Sequence, residues 1–241
     1  MMAFKDKVAV VTGASSGVGK AIALGLAAQG TTLCLVGRKL NTLETVAASA
    51  RAAATRVLCY EIDLAIDKDI IELKDRLQKD CGRVGLLIHS AGVISLGRVE
   101  VAPVEDFDLQ YRINVRAPYL LTQALLPMLR LSAGQIVFIN SSVSMNARAD
   151  VGQYAATKYA LKALADSLRD EVNAEGLRVL SVYLGRTASP MQVMVHEKEG
   201  KVYDPERLIQ PEDVAAVVIN ALSLPYSAEV TDISIRPMKK P

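Results

Sequence analysis

Along this chain, short runs dense in β-branched and other apolar residues alternate with longer stretches whose apolar positions recur every three or four residues. The short runs predict strands over residues 8–12, 32–36, 56–62, 84–89, 135–140, 178–183 and 230–235. The longer stretches predict helices over 18–29, 43–54, 67–79, 103–131, 153–174 and 212–224. Runs such as Val8-Ala9-Val10-Val11 and Ile136-Val137-Phe138-Ile139 lack the apolar–polar alternation of a sheet with one wet face. Helices should therefore cover both faces, and the strands should run parallel. The expectation is an α/β fold in a single domain over residues 1–241, with a doubly wound parallel sheet of about seven strands. In such a sheet a ligand sits beyond the carboxyl ends of the strands, where the strand order reverses, so functional residues should follow strands directly.

At 241 residues, 51% hydrophobic and 22% charged, the chain can bury a substantial core, and no linker, charge block or internal repeat divides it. Lys and Arg total 28 against 26 Asp and Glu, and the formal charge of +2 gives no electrostatic reason to expect nucleic acid or a membrane surface as partner. Cys34, Cys59 and Cys81 lack metal-ligand spacing, and two of them fall in apolar runs, as thiols in a reducing compartment do. No signal-peptide pattern opens the sequence, and no run approaches the ~20 apolar residues of a membrane span, so the expected location is cytoplasmic. His89 and His196 are the only histidines, which leaves little material for a metal site or a Ser-His-Asp triad.

After the first predicted strand comes Thr12-Gly13-Ala14-Ser15-Ser16-Gly17-Val18-Gly19, followed at once by a helical pattern. Glycines allow a tight turn and a close backbone approach, while the helix points unpaired N–H groups and its positive dipole end at a phosphate. A dinucleotide is the natural ligand for that arrangement; the plain alternative is a set of glycines that only turns a strand into a helix. Further along, Tyr154 and Lys158 lie four apart in a helical stretch and so share a face. A tyrosine with a pKa of about 10 is a poor acid–base catalyst at neutral pH, and a neighbouring ammonium favours its phenolate.

The glycine spacing with its preceding threonine, together with Tyr154-x-x-x-Lys158, resembles the short-chain dehydrogenase/reductase family over nearly the whole chain. The resemblance implies a Rossmann fold and a nicotinamide dinucleotide held by Gly13, Ser15, Ser16, Gly17, Val18 and Gly19. It places Asp63 and Leu64 at the adenine and Ala91 and Gly92 after the fourth strand, with Gly185, Thr187 and Ser189 beside the nicotinamide carboxamide. His89-Ser90 stand where the family usually carries two asparagines, and His89 reads as a polar structural substitute, not as a base. Leu184 replaces the usual proline before Gly185, which is expected to loosen that loop.

At the end of the second strand, Gly37 occupies the position of the acidic residue of NAD-dependent relatives, and Arg38 follows. A guanidinium offers a forked donor to a 2′-phosphate, assisted by Lys39 and Ser16, so NADP(H) is the expected cofactor. The alternative is that Arg38 and Lys39 are a solvated helix start. The family's catalytic set maps to Asn114, Ser141, Tyr154 and Lys158. Ser141 lies thirteen residues before Tyr154 and is preferred to Ser142. Asn114 is the residue that in relatives distorts the long helix and holds a water leading to the lysine.

The expected activity is interconversion of a carbonyl and a secondary alcohol on a small molecule such as a ketone or a 3-oxoacyl thioester, with no metal. The expected assembly is a homodimer or homotetramer, packed through the long helix from Pro103 and the helix bearing Tyr154. Residues 190–210 carry apolar and charged positions without a clear long helix, matching the family's variable substrate lid. The rival readings are a cofactor sensor without turnover and a lyase or epimerase using the same tyrosine–lysine pair.

Overall fold

The computed structural model describes residues 4–239 and contains seven strands: β1 (Val8–Thr12), β2 (Thr32–Gly37), β3 (Arg56–Glu61), β4 (Leu86–His89), β5 (Gln135–Ser141), β6 (Arg178–Leu184) and β7 (Asp232–Ile235). They form one parallel sheet in the order β3-β2-β1-β4-β5-β6-β7. The connection that follows β3 crosses back over β1 to β4, so the order reverses between β1 and β4 and a crevice opens there above the carboxyl ends.

The helices are α1 (Gly17–Ala27), α2 (Leu40–Ala50), α3 (Asp67–Asp80), α4 (Val104–Tyr111), α5 (Ala117–Arg130), α6 (Gly152–Val172), α7 (Pro190–Lys198) and α8 (Pro211–Leu222). Strands β1, β4 and β6 are buried along their full length, as their unbroken apolar runs require. Val11, Ile88 and Val137 pack under α1, α2 and α8, whereas Val10, Leu87 and Ile136 pack under α3, α5 and α6. Successive residues of a strand thus feed opposite cores.

The single helix that apolar spacing predicts over 103–131 is instead α4, a π-helical turn at Arg112–Arg116, and α5, and the turn holds Asn114, where the family resemblance implies a distortion. Pro118 has no N–H for the Asn114 carbonyl, and the side chain of Asn114 is engaged elsewhere, so the ladder slips to the wider turn, with the Ala117 amide bonding the Arg112 carbonyl. After residue 190, where no clear long helix is expected, the chain forms the nine-residue α7. Ser189 caps it by accepting from the Gln192 amide, and Pro190 supplies a preset φ in the first turn.

His89 is a structural residue of β4. It is 3% exposed, its Nε2 lies 2.8 Å from the Thr122 hydroxyl, and its ring stacks on Phe138 with centroids 4.9 Å apart. Burial pushes its pKa down from 6.5 to about 3, so the folded protein holds it neutral where the unfolded chain would protonate it. Its contribution to stability is therefore full above pH 6.5 and is lost as pH falls from 6.5 towards 3, at up to about 1.4 kcal/mol per pH unit. His89→Asn should lose less stability than wild type on acidification across that window; parallel urea midpoints for the two proteins would refute the assignment.

Candidate active site

The chain leaves β1 at Thr12 and enters α1 through a turn in which Gly13 (φ +65°) and Gly17 (φ +52°) are left-handed. A Cβ on Gly13 would lie 2.8 Å from the Ala91 backbone, and one on Gly19 would run into the Gly13 carbonyl oxygen. The Thr12 hydroxyl donates to the Ile88 carbonyl at 3.3 Å and accepts from the amides of Ser90 and Ala91 at 3.1 and 3.2 Å. Ser16 is the N-cap of α1, yet its side chain makes no capping bond, so the first-turn amides stay available to an anion at the crevice.

Above the strand ends lies a cleft of about 880 Å³. Gly13, Ser15, Ser16, Gly17, Val18 and Gly19 line one wall. Arg38 follows β2, Asp63 and Leu64 follow β3, and Ala91 and Gly92 follow β4, all on the same cleft. Gly185, Thr187 and Ser189 border it after β6. The expected binding residues, scattered over most of the sequence, are thus brought to one continuous surface.

Arg38 is exposed and makes no ion pair among the described residues. A Cβ on Gly37 would stand 3.1 Å from Cδ2 of Leu43, so a larger residue there must displace Leu43. One Asp63 carboxylate oxygen takes the Ala65 amide at 2.9 Å. The loop after β6 is tied down despite lacking the proline: Leu184 is paired in β6 with Ser141 and Ile235, and the Gly185 amide bonds the Ile235 carbonyl at 2.8 Å. Thr187 bridges to Ile209, with the Ala188 amide on the Ile209 carbonyl at 2.8 Å, so the expected loosening is met by backbone pairing.

Ser141, Tyr154 and Lys158 reach the same cleft from β5 and α6, and so does Ser142. Tyr154 and Lys158 are 9% and 4% exposed. Burial raises the Tyr154 phenol to about 12, a shift that a hydrogen bond with Ser141 opposes, and burial lowers the Lys158 ammonium to about 8. Lys158 Nζ donates to the Ile139 carbonyl at 3.1 Å and lies 5.8 Å from the centre of the Tyr154 ring. At neutral pH both groups hold their protons.

Asn114 does not border the cleft but stands behind it. From the π-helical turn its Oδ1 accepts from the Val93 amide at 2.9 Å, while Nδ2 donates to the Val93 carbonyl at 2.9 Å and to the Thr157 hydroxyl at 3.1 Å. Thr157 in turn donates to the Tyr154 carbonyl at 2.8 Å. Thr157 and Asn140 are positioning residues that sequence reasoning passes over; Asn140 donates to the Lys158 carbonyl at 3.2 Å and accepts from the Ser141 amide at 2.8 Å. A polar residue between Tyr154 and Lys158, and another just before Ser141, is the only signal the sequence offers for them.

Beyond the reactive hydroxyls the lining turns apolar, with Ile94, Leu96, Val143, Val151, Met191 and Met194. Arg186 sits at its edge and pairs with both oxygens of Glu199 at 2.6 and 2.7 Å. Among the described residues no three His, Cys, Asp or Glu side chains converge on a metal-sized site, and no helix is long and apolar enough to cross a membrane.

The chain is similar to known proteins along most of its length. The family model of the short chain dehydrogenases matches residues 7–200. An uncharacterized oxidoreductase from Staphylococcus epidermidis is 30% identical over 239 residues, covering 99% of this chain and 100% of the relative. The structure of a metagenomic short-chain oxidoreductase in complex with NADP superposes with a TM-score of 0.85 at 28% identity, covering 98% of this chain and 100% of that one. An alcohol dehydrogenase from the archaeon Thermococcus sibiricus, complexed with 5-hydroxy-NADP, gives 0.88 at 26% identity over 98% and 99% of the two chains. With the family model matching residues 7–200 and these relatives matching along nearly their whole length, the chain belongs to the short-chain dehydrogenase/reductase family of oxidoreductases.

Proposed function

We propose that the protein is an NADP(H)-dependent reductase that converts a small-molecule ketone or 3-oxoacyl carbonyl to a secondary alcohol. The observation that carries this reading is the convergence of Ser141, Tyr154 and Lys158 on the cleft that also holds the glycine turn and Arg38. The cleft fits a dinucleotide. The glycine turn lines its wall, the α1 amides are unspent, and the exposed Arg38 guanidinium, which makes no ion pair among the described residues, borders it and could pair with an adenosine 2′-phosphate. Two structural relatives contain NADP or a derivative of it, which supports the same cofactor here. Gly13, Ser15, Ser16, Gly17, Val18 and Gly19 would hold the pyrophosphate, with Asp63, Leu64, Ala91 and Gly92 around the adenosine half. Gly185, Thr187 and Ser189 would hold the nicotinamide.

The bound nicotinamide supplies the hydride. The chain's own residues manage the oxygen and the proton. Ser141 and Tyr154 donate hydrogen bonds to the carbonyl oxygen, which stabilises negative charge as it develops. Tyr154, protonated at neutral pH because burial lifts its pKa to about 12, gives up its proton as the alkoxide forms. Lys158, still charged below about pH 8, stabilises the phenolate left behind. Asn114 holds the π-helical turn and the Val93 loop against Thr157, fixing α6 beneath Tyr154. Residues 190–210, with α7, form the lid over the apolar substrate end. Phe107, Tyr111, Tyr119 and Tyr159 expose apolar surface on α4, α5 and α6, the faces through which a homodimer or homotetramer would pack. The reading carries a cytoplasmic location with it.

Tyr154→Phe should reduce NADPH-dependent turnover at least ~100-fold while leaving cofactor affinity near wild type, and Ser141→Ala should lose far more activity than Ser142→Ala. A panel of ketones and 3-oxoacyl thioesters followed at 340 nm decides the point; undiminished turnover in Tyr154→Phe removes it from this role, and cofactor binding with no consumption by any carbonyl points to a sensor.

The lysine gives a pH signature. Because the Lys158 ammonium is the form that stabilises the phenolate, kcat/KM for reduction should fall as pH rises through about 8. A profile flat to pH 10 would sink this role.

Cofactor choice rests on Arg38. Losing a charge-assisted bond of about 1.5–3 kcal/mol should weaken NADPH binding roughly ten- to a hundredfold in Arg38→Ala, with NADH affinity little changed. Equal Kd values for NADH and NADPH in wild type would overturn the NADP assignment. The single variant is cleaner than adding Gly37→Asp, because a side chain at position 37 must also displace Leu43.

A further inference from the structure

The sulfur atoms of Cys34 and Cys81 lie 3.7 Å apart, on the face of the sheet opposite the α1 layer and away from the cleft described above. Both thiols are free. We propose that Cys34 and Cys81 form a reversible dithiol site, closed to an intramolecular disulfide by exchange with a small-molecule disulfide.

The geometry carries this. Cys34 is fully buried in the middle of β2, fixed in register between Val10 of β1 and Leu58 of β3. Cys81 is partly exposed at the carboxyl end of α3, where the chain turns out of the helix through left-handed Gly82 (φ +69°). A disulfide needs the sulfurs to close from 3.7 Å to about 2.05 Å. Rotation of the two side chains supplies most of that movement, and the last turn of α3, held beside β3 by side-chain bonds from Arg56 and Tyr60 to Asp80 and not by strand pairing, takes up the rest.

The two sulfurs are also unequal in the sense that exchange requires. The hydrogen bond they share lifts the Cys34 thiol above the ordinary range, as burial does too, and the same bond holds the Cys81 thiol below it, helped by the charge of Arg56. Cys81 is thus both the less buried residue and the one whose thiol is favoured as thiolate, and Cys34 is the resolving partner. With glutathione disulfide as the oxidant, the Cys81 thiolate attacks one of its sulfurs and the first glutathione leaves with the electron pair of the broken bond. Cys34 then attacks the Cys81 sulfur of the mixed disulfide, and the second glutathione departs. The protein pair is oxidised by two electrons, glutathione disulfide is reduced by two, and the two thiol protons end on glutathione. Cys59 is an internal control: it sits in β3, and burial, then Glu44, raises its thiol to about 11.

The test is to equilibrate the native protein with glutathione disulfide, alkylate the remaining thiols and map the peptides by mass spectrometry. Free thiols should fall from three to one, with a single linked pair joining the Cys34 and Cys81 peptides, reversed by dithiothreitol. Cys34→Ala should stop at a glutathione adduct on Cys81. If that variant does not fold, the wild-type map alone decides. Three free thiols, a linkage through Cys59, or a wild-type protein arrested as the Cys81–glutathione adduct would each overturn the proposal.

Discussion

The hydroxyl of Thr12 joins the two halves of the sheet where their loops part. Donating to the Ile88 carbonyl and accepting from the amides of Ser90 and Ala91, it fixes the chain beyond β4 against the end of β1. Gly13 then passes so close to Ala91 that a single Cβ would push the two loops apart. The closeness of the loops after β1 and β4 at the floor of the crevice follows from this contact. A parallel sheet alone leaves a reversal of strand order; the Thr12–Gly13 contact turns that reversal into a floor on which a ligand can lie.

From that floor the reactive groups are set by burial. Tyr154 and Lys158 lie one helical turn apart on the inner face of α6, and the same desolvation moves their pKa values in opposite directions, the phenol up and the ammonium down. The lysine does not reach the phenol through a direct bond. It is held at the Ile139 carbonyl, on the strand that delivers Ser141 two residues later. Strand β5 therefore positions both partners of Tyr154, and the slip of the ladder at Pro118 brings Asn114 behind them.

How much of this was legible in the sequence depended on whether the cause was local. The seven strands and most helices could be read because short unbroken β-branched runs and a period of 3.6 directly reflect which faces are covered. Gly13, Gly17, Arg38, Tyr154 and Lys158 could be read because each follows a strand or shares a helix face. The break in 103–131 does not show in the apolar spacing, which runs on through Asn114; the family resemblance marks a distortion at Asn114, and the missing N–H of Pro118 gives its local cause. The α7 helix was hidden because its nine residues mix Met and Val with charges, although Ser189-Pro190 is a start signal that a closer local reading would use. His89 could be read as structural, yet its partner Thr122, 33 residues away, could not.

The lining of the cleft is mixed in its chemistry. The glycine turn, Arg38 and Asp63 contribute backbone amides and charge, whereas Ile94, Leu96, Val143, Val151 and the methionines of α7 contribute shape and apolarity, with Asn146, Arg148 and Gln192 among the lining residues. The ion pair of Arg186 with Glu199 joins the loop after β6 to the end of α7 and is shielded to 12% and 21% side-chain exposure. Arg186 also comes within 3.5 Å of His196, whose Nδ1 lies 2.7 Å from the Gln192 carbonyl within the same helix. The end of α7 is thus pinned by charge to the loop after β6, while its Met191 and Met194 line the cleft with soft apolar surface. Under the proposed reaction, selectivity then comes from how a substrate's body fits Met191 and Met194, because the only groups that bond its oxygen are Ser141 and Tyr154, and these would receive any carbonyl alike.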